Sequence, residues 1–197
     1  MGMDEMDVDL DRWYTQEEFA RFCERFEDDL HHYELLNGRI VMNPPAGWPH
    51  GSAVRISSIL DTFVEERGLG RVLANEQGFE LPSGDTVAPD VAYVSNERWD
   101  AAPTPRPGKF LRVVPDLAVE VLSSSTAARD RGEKKGIYER NGVLEYWIAD
   151  LTAVRVARFF LQDGGYGMPV IFGIDDVFES RLLEGLRFPV SRIAPRP

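Results

Sequence analysis

Two strongly apolar stretches of this chain each carry a single carboxylate. Residues 86–94 read TVAPDVAYV and contain Asp90, and residues 117–122 read LAVEVL and contain Glu120. Both stretches have the composition of strands buried in a sheet. Burying an unpaired ionised carboxylate costs several kcal/mol, so a sequence that does this twice is expected to hold a cation between the two. A metal-dependent enzyme is therefore the leading hypothesis.

Strand periodicity predicts where these two carboxylates point. Alternation along residues 117–122 places Glu120 on the opposite face from Val119 and Val121, on a strand that is apolar on both sides. Asp90 follows Pro89, which cannot donate a hydrogen bond to a sheet, so a bulge or local irregularity is expected there. Such a distortion can direct the next side chain into a pocket. The two strands are predicted to be neighbours in one sheet.

A lysine on the next predicted helix is a candidate third member of this site. Residues 127–141 have a helical pattern that ends at Gly142, and Lys134 shares a helix face with the apolar Ile137 and Tyr138. Lys135 is the alternative, but it is rotated by about 100° toward solvent. Lys134 is therefore expected to reach the cavity that contains Glu120.

Other polar residues are weaker candidates. Glu34 lies in the first arm of a hairpin predicted from Asn-Gly at positions 37 and 38, where it can join the site or simply face water. His50 opens a predicted helix after a proline-rich loop and is a candidate pocket residue, with local hydrogen bonding as the alternative. Asp116 is interpreted as a turn residue, and residues 145–147 (EYW) as packing or a dimer surface.

The order of predicted elements is helix, hairpin, helix, several strands, helix and further strands. This order indicates an α/β or mixed α+β fold with a central sheet flanked by helices. Residues 1–12 are predicted to be a flexible acidic segment, and residues 13–197 a single domain.

Charge and composition narrow the classes of function. The net charge of −11 argues against a protein that grips nucleic acid tightly along its whole surface, although residues 106–140 are locally basic. The N-terminal residues lack the pattern of a signal peptide, and no apolar run approaches the roughly 20 residues that span a bilayer. With one cysteine, Cys23, an internal disulfide is excluded and a cytoplasmic location is expected. Cys23 is predicted to act as a small buried apolar residue.

Carboxylates together with a lysine suit the hydrolysis of a phosphodiester. Hard oxygen ligands select Mg²⁺ or Mn²⁺ over zinc. Such a metal polarises a phosphoryl oxygen and lowers the pKa of bound water. A nearby lysine can orient that water and stabilise the negative charge that develops.

These residues resemble a known family. The chain is similar to the Uma-two family of predicted endonucleases, in the PD-(D/E)xK restriction-endonuclease-like superfamily. The resemblance covers roughly residues 15–170 and rests on an ordered set of segments: Tyr33-Glu34-Leu35-Leu36-Asn37-Gly38, His50, Pro89-Asp90-Val91-Ala92, residues 115–123 (PDLAVEVLS), Asp130, Lys134 and Tyr138, and residues 142–147 (GVLEYW).

The resemblance implies a restriction-endonuclease-like fold and roles for individual residues. Asp90 and Glu120 match the aspartate and glutamate of the superfamily and would bind metal, while Glu34 matches an early glutamate that completes the site. His50 matches a recurrent histidine. Leu122 stands where the superfamily has its lysine, and Lys134 matches a lysine that has moved onto the next helix. A nucleic-acid substrate, with DNA as the expected form, and a homodimer are also implied.

Three functions follow from these features. The first is a Mg²⁺- or Mn²⁺-dependent endonuclease that uses Asp90, Glu120, Lys134 and Glu34. The second is a non-catalytic protein of the same fold that acts as a binding or dimerisation module, which the acidic charge and Leu122 favour. The third is a glycosidase with two carboxylates and no metal, but an aromatic platform for sugar is not identifiable in the sequence.

Overall fold

The structure, a computed structural model, describes residues 12–25, 32–43, 53–74, 77–123 and 125–195. Its helices are α1 (Gln16–Cys23), α2 (Val54–Arg67), α3 (Asn96–Ala101), α4 (Ala127–Arg129), a π-helix (Asp130–Lys134), α5 (Lys135–Arg140) and a 3-10 helix (Val190–Ile193). Its strands are β1 (His32–Leu36), β2 (Arg39–Asn43), β3 (Gly70–Ala74), β4 (Phe79–Glu80), β5 (Thr86–Val87), β6 (Val91–Ser95), β7 (Leu117–Val121), β8 (Glu145–Asp150), β9 (Arg155–Gln162), β10 (Gly165–Tyr166), β11 (Val170–Phe172), β12 (Val177–Glu179) and β13 (Arg187–Pro189).

Of the segment 1–12, which the sequence predicts to be flexible, only Arg12 falls within the described ranges. The single domain predicted for residues 13–197 stays a prediction. Among the described residues, the helices are all too short or too polar to cross a bilayer.

Capping residues mark the start of α1 and the end of α2. Thr15 and Glu18 form a reciprocal capping box at the start of α1, which satisfies backbone N–H groups that the helix leaves unpaired. Helix α2 ends at Gly68, whose φ of 59° is the left-handed conformation that glycine adopts without steric cost. Both boundaries agree with the signals in the sequence, which predicts a capping box at residues 15–18 and a glycine C-cap at Gly68.

The predicted hairpin is β1–β2. Its two turn residues, Asn37 and Gly38, have φ values of 49° and 75°, as a tight turn with two left-handed residues requires. The resulting register pairs Leu36 with Arg39 and Glu34 with Val41. This hairpin joins β5 and β4 in a four-stranded sheet of order β2-β1-β5-β4.

The larger sheet is mixed and contains the strand of Glu120. Its order is β10-β9-β8-β7-β6-β3, with β11 also paired to β9. Strands β7 and β8 are parallel, whereas β6 pairs with β7 in antiparallel fashion, with Val91 opposite Val119. Strands β12 and β13 form a separate two-stranded sheet. The predicted fold class, a mixed central sheet flanked by helices, is confirmed, as is the pairing of the two carboxylate-bearing segments.

The two faces of β7 pack against different helices. Leu117, Val119 and Val121 belong to a buried cluster that includes Ile56 and Leu60 of α2. Ala118 belongs to the opposite cluster, which also contains residues of α5 and of β8. Burial on both faces explains why this strand is apolar throughout except at Glu120.

Three predicted elements are interrupted in the structure. The predicted strand 87–94 is divided between β5 in the smaller sheet and β6 in the larger one, because Pro89 lacks the N–H that would continue the ladder. The predicted helix 127–141 forms, but its middle is the π-helix between α4 and α5. The sequence also predicts a strand over 166–172 after a turn at residues 163–165. The structure divides this strand into β10 and β11, which pair with different parts of β9.

Candidate active site

A buried lysine joins two carboxylates from different sheets. The Nζ atom of Lys134 lies 2.5 Å from Oε1 of Glu120 on β7 and 2.9 Å from Oε1 of Glu34 on β1. These three side chains are at most 5% exposed. The structure thus brings together three of the residues that the sequence singled out, at the place where the two sheets meet the helix that follows β7.

Lys134 reaches this position from the last residue of the π-helix. Burial acts to lower the pKa of its ammonium, but the carboxylates of Glu120 and Glu34 outweigh burial and raise that pKa above its ordinary value. Lys135, the alternative, is partly exposed, with its Nζ 3.8 Å from a carboxylate oxygen of Glu139. The prediction that Lys134 is the inward-facing lysine is consistent with this arrangement.

Glu120 accepts two hydrogen bonds on a single oxygen. The hydroxyl of Tyr138 donates to Oε1 at 2.6 Å, and Lys134 donates to the same atom. Among the described residues, Oε2 of Glu120 has no such donor. Burial raises the pKa of the Glu120 carboxyl well above its usual range, against the opposing effect of the Lys134 ammonium.

Glu34 is held by main-chain and side-chain donors. Its Oε1 accepts from the backbone N–H of Ala88 at 2.8 Å, and its Oε2 accepts from the amide of Asn43 at 2.8 Å. Asn43 in turn accepts a hydrogen bond of 2.6 Å from Arg129. The alternative that Glu34 merely faces water does not hold, since the residue is 1% exposed.

Asp90 lies directly before β6, in the irregular segment that follows Pro89. Its Oδ2 accepts from the backbone N–H of Val121 at 2.6 Å. Its negative charge also contributes to the raised pKa of Glu120, which places the two carboxylates in the same electrostatic environment. The irregularity therefore turns the Asp90 side chain toward β7.

Asp130 is a further buried carboxylate that was not among the predicted site residues. It is 2% exposed, and its Oδ2 has no hydrogen-bond partner among the described residues. Burial raises the pKa of its carboxyl, while the Lys134 ammonium acts in the opposite direction. In the sequence, Asp130, Lys134 and Tyr138 follow one another at intervals of four residues. This spacing indicates that their side chains share one side of the helical segment.

Two other buried acidic residues serve the fold rather than this site. Asp116 accepts from the backbone N–H of Ser95 at 2.7 Å and pairs with Arg98 at 3.1 Å, in agreement with its interpretation as a turn residue. Glu145 accepts four hydrogen bonds, from the side chains of Trp147 and Ser180 and from the backbone N–H groups of Arg181 and Leu182. These contacts fit its interpretation as a packing residue. His50 lies outside the described residues.

The family of the chain is shown by comparison. Residues 16–191 match the family described as "Uma2: Putative restriction endonuclease". The chain belongs to the Uma2 family. This membership covers most of the sequence and agrees with the resemblance that the ordered motifs indicated.

Relatives of this Uma2 protein include an uncharacterized protein of Synechocystis sp. (strain ATCC 27184 / PCC 6803 / Kazusa). It is 26% identical over 188 residues, which cover 91% of this chain and 90% of the relative. Among solved structures, a crystal structure from Anabaena variabilis ATCC 29413 is titled a "putative nuclease belonging to DUF820". It superposes with a TM-score of 0.73 at 16% identity, covering 91% of this chain and 96% of the other. This similarity supports the nuclease-like fold.

Restriction-endonuclease-like proteins, the kind that the Uma2 description names, generally use divalent metals. We therefore ask whether the side chains of this site could bind such a metal. Within the described ranges, groups of three or more His, Cys, Asp or Glu side chains with the geometry of a metal site are not found. Mg²⁺, however, is commonly bound by one or two carboxylates together with water and substrate phosphates. The hard oxygens of Asp90 and Glu120, with Oε2 of Glu120 unused by described donors, fit that kind of site.

Proposed function

We propose that this Uma2-family protein is an endonuclease that hydrolyses phosphodiester bonds of nucleic acid with Mg²⁺ or Mn²⁺, and that DNA is its favoured substrate. The observation that carries the proposal is the position of Lys134 between Glu120 and Glu34. Leu122 occupies the place of the superfamily lysine, and the helix after β7 supplies an ammonium group to the same glutamate. The site therefore keeps a positive charge beside its carboxylates, although the lysine comes from the helical segment and not from the strand.

Asp90 and Glu120 are the proposed metal ligands. Glu120 lies on β7, and Asp90 lies directly before β6, the strand that pairs with β7. Each carboxylate has one oxygen fixed by a hydrogen bond, from Val121 N–H for Asp90 and from Tyr138 for Glu120. Glu34, whose two oxygens accept from Ala88, Asn43 and Lys134, is better placed to orient the lysine than to bind metal directly. The ligand role that the family resemblance implies for Glu34 stays a prediction.

A metal bound here would polarise the phosphoryl oxygen and lower the pKa of its water. Lys134 has a raised pKa and therefore stays protonated at neutral pH. It is thus a hydrogen-bond donor and a source of positive charge for the phosphate, and not a general base. Burial of the cluster strengthens this electrostatic effect, because little water screens it.

The acidic net charge of −11 is compatible with a weakly held substrate. Several basic residues of the segment 106–140 are paired with acidic residues: Lys109 with Glu24, Arg112 with Glu80, and Arg140 with Asp85. These pairs leave little of that positive charge for phosphates. We therefore expect weak binding that depends on the metal and changes little with salt, because protein side chains neutralise few phosphates.

The test is a cleavage assay on supercoiled plasmid, single-stranded DNA and RNA, with Mg²⁺, with Mn²⁺ and with EDTA. Wild type should cleave at least one substrate with metal and none with EDTA. Glu120→Gln and Lys134→Met should lose at least about 100-fold in rate, as loss of a charge-stabilising group does. Lys135→Met, one residue away on a partly exposed side chain, is the matched control and should retain activity. Cleavage that survives Glu120→Gln would assign the activity to a contaminant or to another site.

The second candidate is a non-catalytic module for binding or dimerisation. Leu122 and the acidic charge favour it. The burial of Lys134 against two carboxylates weighs against it, because a protein without catalysis gains little stability from a buried ion pair compared with apolar packing. A wild-type protein that binds nucleic acid but cleaves none of the three substrates would support this second function. The homodimer and the cytoplasmic location remain predictions.

A further inference from the structure

Tyr138 contacts the proposed metal ligand Glu120 directly. It lies on α5 and is fully buried. Its hydroxyl donates to Oε1 of Glu120 at 2.6 Å, the same oxygen that lies 2.5 Å from Nζ of Lys134. Two donors therefore hold one carboxylate oxygen from two successive turns of the helical segment.

The ring of Tyr138 is fixed by packing, so its hydroxyl has a defined position. Its ring centroid lies 5.0 Å from that of Tyr146 on β8. The hydroxyl of Tyr146 donates to the backbone carbonyl of Asp130 at 2.9 Å, which ties the π-helix to the same strand. A tyrosine with two rotatable side-chain bonds and a packed ring is a rigid donor.

These two contacts on Oε1 determine the orientation of the second carboxylate oxygen of Glu120. With Oε1 committed to Tyr138 and Lys134, Oε2 is the carboxylate oxygen without a donor among the described residues. The carboxylate cannot rotate without losing two charge-assisted hydrogen bonds, each stronger than a neutral one. Its second oxygen is thus presented in one orientation.

We propose that Tyr138 is a positioning residue that fixes Glu120 so that this glutamate binds the metal through Oε2 alone. The inference rests on the proposed function. It makes Tyr138 part of the shell that orients a ligand, and loss of such an outer partner typically lowers metal affinity or activity by about 10–100-fold. A purely structural tyrosine would have no such effect.

The matched comparison is between Tyr138→Phe and Tyr166→Phe. Tyr166 is also largely buried, and its hydroxyl donates to the backbone carbonyl of Val143 at 2.7 Å, so each variant removes one buried hydroxyl. Mn²⁺ affinity is measured by calorimetry without DNA, and kcat and KM by cleavage of the substrate that wild type prefers. Tyr138→Phe should lose about 10–100-fold in Mn²⁺ affinity or in kcat, with KM for the nucleic acid unchanged. Tyr166→Phe should match wild type.

Equal Mn²⁺ affinity and equal kcat in Tyr138→Phe and wild type would overturn the inference while leaving the proposed function intact. A wild type that binds no Mn²⁺ and cleaves no nucleic acid would instead overturn the proposed function. A crystal structure of wild type with Mn²⁺ tests the same point without any variant. It should show Glu120 bound through Oε2 with Tyr138 still on Oε1, and coordination through Oε1 or through both oxygens would contradict the inference.

Discussion

The Nζ atom of Lys134 lies 2.5 Å from Oε1 of Glu120, and both side chains are at most 5% exposed. The lysine comes from the π-helix and the glutamate from the middle of a strand that is otherwise apolar. A buried ion pair of this kind contributes little net stability compared with apolar packing, yet breaking it leaves an uncompensated charge. This relationship makes stability and the proposed chemistry depend on the same contact.

Replacing Lys134 should therefore destabilise the protein as well as remove activity. Lys134→Met leaves the buried Glu34 and Glu120 without their cation, and we expect the free energy of unfolding to fall by about 3 kcal/mol at neutral pH. Urea denaturation followed by circular dichroism measures this. Lys135→Met is the control and should change stability by less than about 0.5 kcal/mol. Equal stability of the two variants would mean that the ammonium does not hold the carboxylates together.

Asp116 should matter for stability and not for cleavage. Its carboxylate accepts from Ser95 N–H and pairs with Arg98, directly before the start of β7, whereas Glu120 lies near the end of that strand. Asp116→Ala should lower the free energy of unfolding by about 2 kcal/mol, because the partly buried N–H of Ser95 and the guanidinium of Arg98 both lose their acceptor. Glu17→Ala, which removes an exposed pair with Arg21, should cost at most about 0.5 kcal/mol.

The cleavage rate per folded molecule distinguishes a role of Asp116 in stability from a role in the active site. It should be unchanged in Asp116→Ala when measured below the unfolding transition. A large loss of kcat in a folded variant would show that Asp116 belongs to the active site after all.

Asp130 should make stability depend on pH in a defined direction. Burial raises the pKa of its carboxyl in the folded state. The folded state then binds the proton more tightly than the unfolded state, so this residue's contribution is favourable below the unfolded pKa and is lost as pH rises through the folded pKa. Asp130→Asn, which removes the ionisation, should be more stable than wild type by about 1 kcal/mol at pH 8.

The difference between Asp130→Asn and wild type should shrink as the pH is lowered from 8 through the raised pKa of Asp130 toward the ordinary aspartate value of about 4. Urea denaturation at several pH values measures it. Asp163→Asn, at an exposed turn position, is the control for replacing a carboxyl group by an amide. A difference that grows toward acidic pH would contradict the direction of the pKa shift at Asp130.

Cys23 should react slowly with alkylating reagents in the folded protein. It is partly buried beside the cluster of Phe19, Leu35 and Ile40, and desolvation raises the pKa of its thiol to about 12. The thiolate is the reactive form, so its fraction near neutral pH is about 1000-fold smaller than for an unperturbed thiol. Mass spectrometry after iodoacetamide treatment should show slow labelling in buffer and fast labelling in urea. Fast labelling of the folded protein at pH 8 would contradict the raised pKa.

The parts of the fold that the sequence predicts well are those fixed by local chemistry. Asn37 and Gly38 can adopt positive φ values and therefore mark the hairpin, and Gly68 marks the end of α2 for the same reason. The alternation along β7 predicted the face of Glu120 because the strand is buried on both sides. Spacing along the helix separated Lys134 from Lys135.

The parts that sequence reasoning missed depend on contacts between distant segments. Residues 87–94 are divided between two sheets because β5 and β6 pair with strands of different sheets. The run of apolar residues does not indicate which strands they pair with. The π-helix is one added residue in a helical turn, which a pattern with a period of about 3.6 residues does not register. The burial of Asp130 and the hydrogen bond of Tyr138 to Glu120 both follow from that turn and from the packing of Tyr146.

The most direct test of the central claim is a calorimetric titration of Mn²⁺ into wild type, Asp90→Asn, Glu120→Gln and Asp116→Asn. We expect saturable binding to wild type and to Asp116→Asn, and loss of that binding in both Asp90→Asn and Glu120→Gln. Absence of Mn²⁺ binding to wild type, or binding that persists in Asp90→Asn and Glu120→Gln, would contradict the claim that these two carboxylates hold the metal.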